Sequence, residues 1–196
     1  MSKSEQIRKL VVMALLAAVS VVLVYMVRFP LVPAAPFLEY DFADVPILIG
    51  ALAYGPLAGV MLTVVVSLVQ GLTVSAGTGG VFYGIIMHII ATSTLCLVAG
   101  GVYRVRHTRM GGALGLILGS LAMGLIMMPA NHFITPYFMG QPVAVVDALL
   151  LPGILPFNLA KAGINSAITF LAYKTVSRYI VHGESWEKKI PTKTEA

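Results

Sequence analysis

An all-α integral membrane protein with six transmembrane helices is the fold class this sequence predicts. Three observations carry the prediction. The 196 residues are 58% hydrophobic and 11% charged, with a mean hydropathy of +0.91; soluble domains run at about 45–50% apolar and about 25% charged. The apolar runs are long and continuous, near the ~20 residues that cross a bilayer as a helix, without the alternation of a membrane barrel. The basic residues sit at the ends of those runs. The net charge of +5 therefore reads as a topology signal and not as a nucleic-acid patch. The length suits one compact bundle, read as a single domain over 1–182 with a polar cytoplasmic tail over 183–196.

The first helix is read over Ile7 to Phe29. Arg8 and Lys9 before an apolar run resemble a secretory signal. But Leu10 to Val27 is 18 residues without a charge, beyond the ~7–15 of a signal core, so the helix is expected to be retained. Val45 to Gly71 is one apolar stretch broken by Tyr54-Gly55-Pro56. Glycine ends helices and proline starts them, which gives a second helix over Asp44–Tyr54 and a third over Pro56–Leu72. The second is short for a full span. The fourth is read over Val81–Tyr103, the fifth over Gly111–Ala130 and the sixth over Leu155–Tyr179. Between the last two, ITPYFMGQPVAVVDALLLPG is read as a loop carrying a short helix around Val143–Leu150. The single cysteine, Cys96, excludes an internal disulfide and reads as a small buried hydrophobe.

Six crossings put both termini on one face, with the connection Arg104 to Arg109. That face then holds Lys3, Arg8, Lys9, Arg104, Arg106, Arg109, Lys174, Arg178, Lys188, Lys189 and Lys193, which is 11 of the 13 basic residues. The positive-inside rule makes it cytoplasmic. The opposite face is assigned Arg28, Glu39, Asp41, Asp44 and Asp147. Lys161 belongs to neither.

The stretch LLLPGILPFNLAKAGINSAITFLAYK is apolar enough to span, yet it contains Asn158, Lys161 and Asn165. A lysine at mid-bilayer costs about 2.5–3.5 kcal/mol on insertion scales. The three positions are spaced i, i+3, i+7 and share one helix face, continued by Thr169. Snorkelling to the outer interface, helix–helix glue and a solute site near the outer face all fit; the site is favoured. Asn131 and His132, after Met128-Pro129-Ala130, sit at the same depth as Asn158, and Asn131 is expected to face Asn158 and Lys161 across a cavity. The loop AAPFLEYDFADVP is expected above, with Phe37, Leu38, Tyr40 and Phe42 covering the solute. Asp41 and Asp44 are read as N-terminal caps of the second helix. His88 reads as a satisfied interior histidine, and Met123, Met127 and Met128 as packing suited to a flat ring. No acid is expected at the depth of Lys161.

Gly77-Thr78-Gly79-Gly80 lacks the lysine of a phosphate loop, and no zinc-protease or nucleophile-elbow motif occurs. Amides and one cation bind; they offer no evident catalysis. The chain therefore reads as no enzyme, with no metal or cofactor, and a lone ion-coupled carrier would show paired interrupted helices and an acidic relay.

EYDFADVPILIGALAYGPLAGVMLTVVVSLVQGL resembles the outer loop and the second and third helices of the substrate-binding S-components of energy-coupling factor (ECF) vitamin transporters. LPFNLAKAGINSAITFLAYK is similar to their sixth helix. The similarity spans about Leu38 to Lys174 and is strongest to riboflavin-specific members. It implies a six-helix protein of the bacterial cell membrane that takes a vitamin from outside and docks on a transmembrane coupling protein and two cytoplasmic ATPases. It implies that Asn131, Asn158 and Lys161 contact the flavin ring, and that Leu38 contacts it through its backbone. Asn165 joins the candidate site from its place on the polar stripe. The family docks its coupling protein through small residues of the first helix, here Ala14 and Ala18. An isoalloxazine is flat and largely apolar, with an edge of carbonyls and N–H groups that Asn and Lys can meet. Thiamine, a cation, is disfavoured for want of a carboxylate; pantothenate could pair with Lys161 and stays open as the alternative cargo.

Overall fold

The computed structural model describes residues 3–73 and 80–176. In order these form α1 (Lys3–Met26), β1 (Arg28–Pro30), β2 (Glu39–Asp41), α2 (Asp44–Tyr54), α3 (Pro56–Thr73), α4 (Val81–Val105), α5 (Arg109–Met139), α6 (Val143–Leu149) and, after a π-helical turn over Leu150–Ile154, α7 (Leu155–Val176). The expected end of the last helix at Tyr179, the basic residues from Arg178 onward, the 183–196 tail and Gly77-Thr78-Gly79 lie outside the described residues.

Five helical stretches are long and apolar enough to cross a bilayer, and α2 is a shorter apolar helix. Its 11 residues rise ~16 Å, about half the hydrocarbon thickness. Nine of them are buried, as a helix apolar on every side requires. It sits in the middle of the bundle against α1, α3, α4 and α7. The break before α3 is the expected one. Gly55 adopts φ 98°, a conformation glycine takes without strain, and Pro56 opens the next helix.

Two departures of the helix bounds from expectation bear on the site. The first helix stops at Met26 and not at Phe29, because a residue before proline is pushed out of the α region and Phe29 precedes Pro30. The chain then leaves the all-α expectation: β1 and β2 pair antiparallel, with Arg28 opposite Asp41, Phe29 opposite Tyr40 and Pro30 opposite Glu39. The fifth helix runs nine residues past Ala130 to Met139, through Pro129 and Pro136. Side chains stitch this segment: Asn131 Nδ2 donates to the Met127 carbonyl at 2.7 Å and Thr135 Oγ1 donates to Asn131 Oδ1 at 2.8 Å. It ends at Gly140, whose φ of 60° is left-handed, a common helix stop. At its start Thr108 Oγ1 accepts from Gly111 N at 3.0 Å.

Helices α4 and α5 pack closely through Gly115-x-x-x-Gly119. A Cβ at Gly115 would lie 2.6 Å from the Ala99 carbonyl oxygen, and one at Gly119 would lie 2.9 Å from that of Leu95. Between membrane helices, where lipid is as apolar as leucine, such small-residue approach supplies the contact. Cys96 is buried as expected, against Gly59 of α3. Gly119→Leu, which forces these backbones apart, is expected to cost on the order of 1–3 kcal/mol, read as a lower melting temperature of the detergent-solubilised protein.

Candidate solute-binding site

The polar stripe of α7 points into the bundle. Asn158, Lys161, Asn165 and Thr169 are all buried, with Asn165 and Thr169 at 0% exposure. Lys161 does not snorkel: its Nζ donates to Asp41 Oδ2 at 2.8 Å. The expectation that no acid reaches this depth is overturned, because β1 and β2 carry the acidic loop down into the bundle. Alternation in the β2 strand explains which side chains arrive where. Glu39 and Asp41 face the same way and line a cavity with Arg28, their cross-strand neighbour. Arg28 ion-pairs with Glu39. Tyr40 turns the other way, packs on Phe29 at 5.4 Å between ring centroids, and donates its hydroxyl to Asn165 Oδ1 at 2.8 Å.

The two aspartates do not cap α2 as expected. The N-cap residue is Ala43, with no side-chain cap. Asp41 Oδ1 instead accepts from Ala43 N at 2.9 Å in the turn before the helix, the local bond typical of Asp two residues back. Asp44 is fully buried and collects three donors, two from α4 and one from α7. Thr92 Oγ1 lies at 2.8 Å and His88 Nε2 at 3.2 Å from Oδ1, and Asn165 Nδ2 lies at 3.2 Å from Oδ2. A carboxylate only accepts, so His88 presents Nε2–H to it. The other ring nitrogen is 2.7 Å from Ser67 Oγ. His88 thus has two partners inside the bundle, and it also borders the cavity.

That cavity has a volume of about 220 Å³, far above the roughly 10–15 Å³ a single water occupies. Leu38, Asn131, Asn158 and Lys161 all line it, with Phe37 from the loop and Met123, Met127, Phe157 and Phe138 as apolar walls. Asn165 does not line it. Its carboxamide is consumed by Tyr40, Asp44 and the Asp41 carbonyl, the last at 3.1 Å. Of the loop aromatics, Phe37 reaches the cavity, while Tyr40 and Phe42 do not line it. His132 lies outside the wall and pairs with Asp147 at 2.6 Å.

The two cavity asparagines are tied in the same way. Asn131 Nδ2 donates to Met127 O, and Asn158 Nδ2 donates to Ile154 O at 2.8 Å. Each keeps a second N–H, and Asn158 keeps its Oδ1 without a partner among the described residues. Ile154 closes the π-helical turn, and π turns widen a helix where function needs a side chain re-aimed. The loop seats on that turn: a Cβ at Gly153 would lie 3.0 Å from Ala35 Cβ. His88 is the satisfied interior histidine expected; sequence reasoning missed the places of Asp41 and Gln70 in the cavity wall and the buried bonds of Asp44. For the two aspartates a signal existed: a buried ammonium needs a counter-charge.

Fold and cavity together define a helical membrane protein with a cavity of small-solute size between apolar walls and a few convergent amides. The chain belongs to the family described as ECF transporter, substrate-specific component, whose family model matches residues 8–173. It is a multi-pass bacterial plasma-membrane protein, and the family's substrate-specific component is not itself catalytic. It is 30% identical over 182 residues to the riboflavin transporter FmnP of Bacillus subtilis (strain 168), covering 89% of this chain and 95% of that protein. It is 25% identical to the riboflavin transporter RibU of Staphylococcus aureus (strain TCH60), over 90% of this chain and 94% of that one. The solved structure of the S component of a bacterial ECF transporter superposes with a TM-score of 0.77 at 27% identity, covering 89% of this chain and 98% of that chain.

Tyr40→Phe removes one buried hydrogen bond and is expected to cost about 1 kcal/mol. Burial, and after it the Asp41 and Asp44 carboxylates, push the Tyr40 hydroxyl up from its ordinary value of 10.0. The folded chain therefore holds this proton where the unfolded chain releases it. The tyrosine's contribution is complete below pH 10.0 and is lost as pH rises through the raised value. Thermal melts of the two proteins should show the parent's advantage shrinking above that pH.

Proposed function

We propose that this chain captures riboflavin at a pocket open to the outside and hands it to partner subunits for ATP-driven uptake. The observation that carries the reading is the meeting of Asn131 from α5 with Asn158 and Lys161 from α7 on one cavity walled by Met123, Met127 and Phe157. A flat apolar ring fits between such walls, and its carbonyl and N–H edge complements the spare amide groups and the ammonium. The names of the relatives point to the same cargo.

Charge supports riboflavin over the alternatives. Asp41 in the wall removes the earlier objection to thiamine, that no carboxylate stands near Lys161. But the two are paired, and Arg28 pairs with Glu39. A cavity whose charges are already matched favours a neutral polar edge over a free cation or over the carboxylate of pantothenate.

The membrane domain in this reading spans 1–182 with six crossings; α2 is the shortest of them, and its ~16 Å is completed by the hairpin above it. Both termini face the cytoplasm, as the distribution of basic residues supports, and 183–196 is a cytoplasmic tail. Riboflavin is substrate and no cofactor is required. The partners are a transmembrane coupling protein and two cytoplasmic ATPases. Ala14 and Ala18 are exposed on α1, opposite its buried stripe of Val12, Leu16 and Ser20, and this small-residue face suits close approach of a partner helix.

Mass spectrometry of the small molecule released from the purified protein should return riboflavin; a different vitamin would overturn the cargo. Lys161→Ala and Asn158→Ala are each expected to weaken flavin binding about 10-fold or more, the loss of one buried polar contact, in a titration followed by flavin fluorescence. Ala14→Leu should leave that titration unchanged and lower uptake by cells carrying the partner subunits.

A further inference from the structure

Asp41 is a cavity residue to which the flavin reading gives no task. It is held at every polar atom of its side chain. Oδ1 accepts from Ala43 N at 2.9 Å and Oδ2 from Lys161 Nζ at 2.8 Å. Its carbonyl accepts from Asn165 Nδ2 at 3.1 Å, and β pairing opposite Arg28 fixes its backbone. The side chains of Lys161 and Asp41 are only 8% and 4% exposed, yet both line the cavity.

The other charged groups near the amine are committed elsewhere. Asp44 of α2 is bonded to Thr92, to Asn165 and to His88 of α4. Glu39 of β2 is paired with Arg28 of β1. Asp41 is therefore the carboxylate left to hold Lys161. A lysine arm has four rotatable carbons and is a loose binding element unless something fixes it before the solute arrives. One of its three N–H donors goes to Asp41, which leaves two for cargo.

Resting on the riboflavin reading, we propose that Asp41 is a positioning residue for the solute. It fixes the Lys161 ammonium at the cavity wall and balances its charge, so that the site offers directed donors without net positive charge. Asp41 itself makes no contact with the cargo in this account. It acts through the lysine.

The test is a double-mutant cycle on riboflavin affinity, by fluorescence titration of the full chain in lipid nanodiscs. Asp41→Asn is nearly isosteric, and alone it should weaken binding about 10-fold. Lys161→Met should weaken it at least as much. Adding Asp41→Asn to Lys161→Met should then change affinity less than about 2-fold, because the positioned group is gone. A loss of equal size in both backgrounds overturns the proposal, since Asp41 would then contact cargo or serve the hairpin alone. Unchanged affinity in Asp41→Asn overturns it as well. If Asp41→Asn unfolds, Asp41→Glu carries the same comparison: it keeps the charge and displaces the oxygen, and its loss should likewise vanish beside Lys161→Met. Failure of the unmodified protein to bind riboflavin would overturn the functional reading itself, whereas binding without coupling removes only the role of Asp41.

Discussion

An ammonium and a carboxylate meet inside the bundle, at Lys161 and Asp41, and much of the structure is arranged so that they can. Neither charge is tolerable there alone: stripping one partner from a buried pair commonly costs about 3–5 kcal/mol. The pair joins residues 120 positions apart, so it ties the outer hairpin to the last helix. With the hairpin pulled down, Asp44 starts α2 below the surface and can gather Thr92, His88 and Asn165. The same descent places Phe37 and Leu38 along the cavity. A salt bridge of this kind is weak grounds for stability; its value here is geometric, since it sets where the hairpin must lie.

The spanning helices were legible because lipid demands long apolar runs, and their breaks because Gly55 and Pro56 leave no other reading. The helix over Val143–Leu149 was visible for the same local reasons. The spacing of Asn158, Lys161 and Asn165 identified a shared face, but spacing cannot say which side chain meets a void and which meets a neighbour. Asn165 meets neighbours: Tyr40, Asp44 and the Asp41 backbone. The hairpin was missed because three-residue strands carry almost no periodic signal, and their pairing is decided by tertiary contacts. The extension of α5 past Pro129 was missed because proline is costly in water-exposed helices, whereas in membranes neighbouring side chains re-satisfy the freed groups.

The acidic loop misled for a related reason. Asp-x-x-Asp before an apolar helix reads as a cap, since caps are satisfied by neighbours in sequence. Here the satisfying donors come from α4 and α7, and no local rule anticipates partners from two other helices. The same feature leaves the charges of the cavity wall matched within the chain itself.

The brevity of α2 has a consequence for leakage. Below Asp44, the barrier to ions on this path is a plug of buried side chains, Ile47, Leu48 and Ala51 among them at 0% exposure, only ~16 Å deep. On the proposed function, a solute held beside Lys161 is separated from the far face by little more than that plug. On the same reading, completing the journey requires displacing that plug or moving the whole subunit, so the packing of these side chains bears on how tightly the resting protein is sealed to ions.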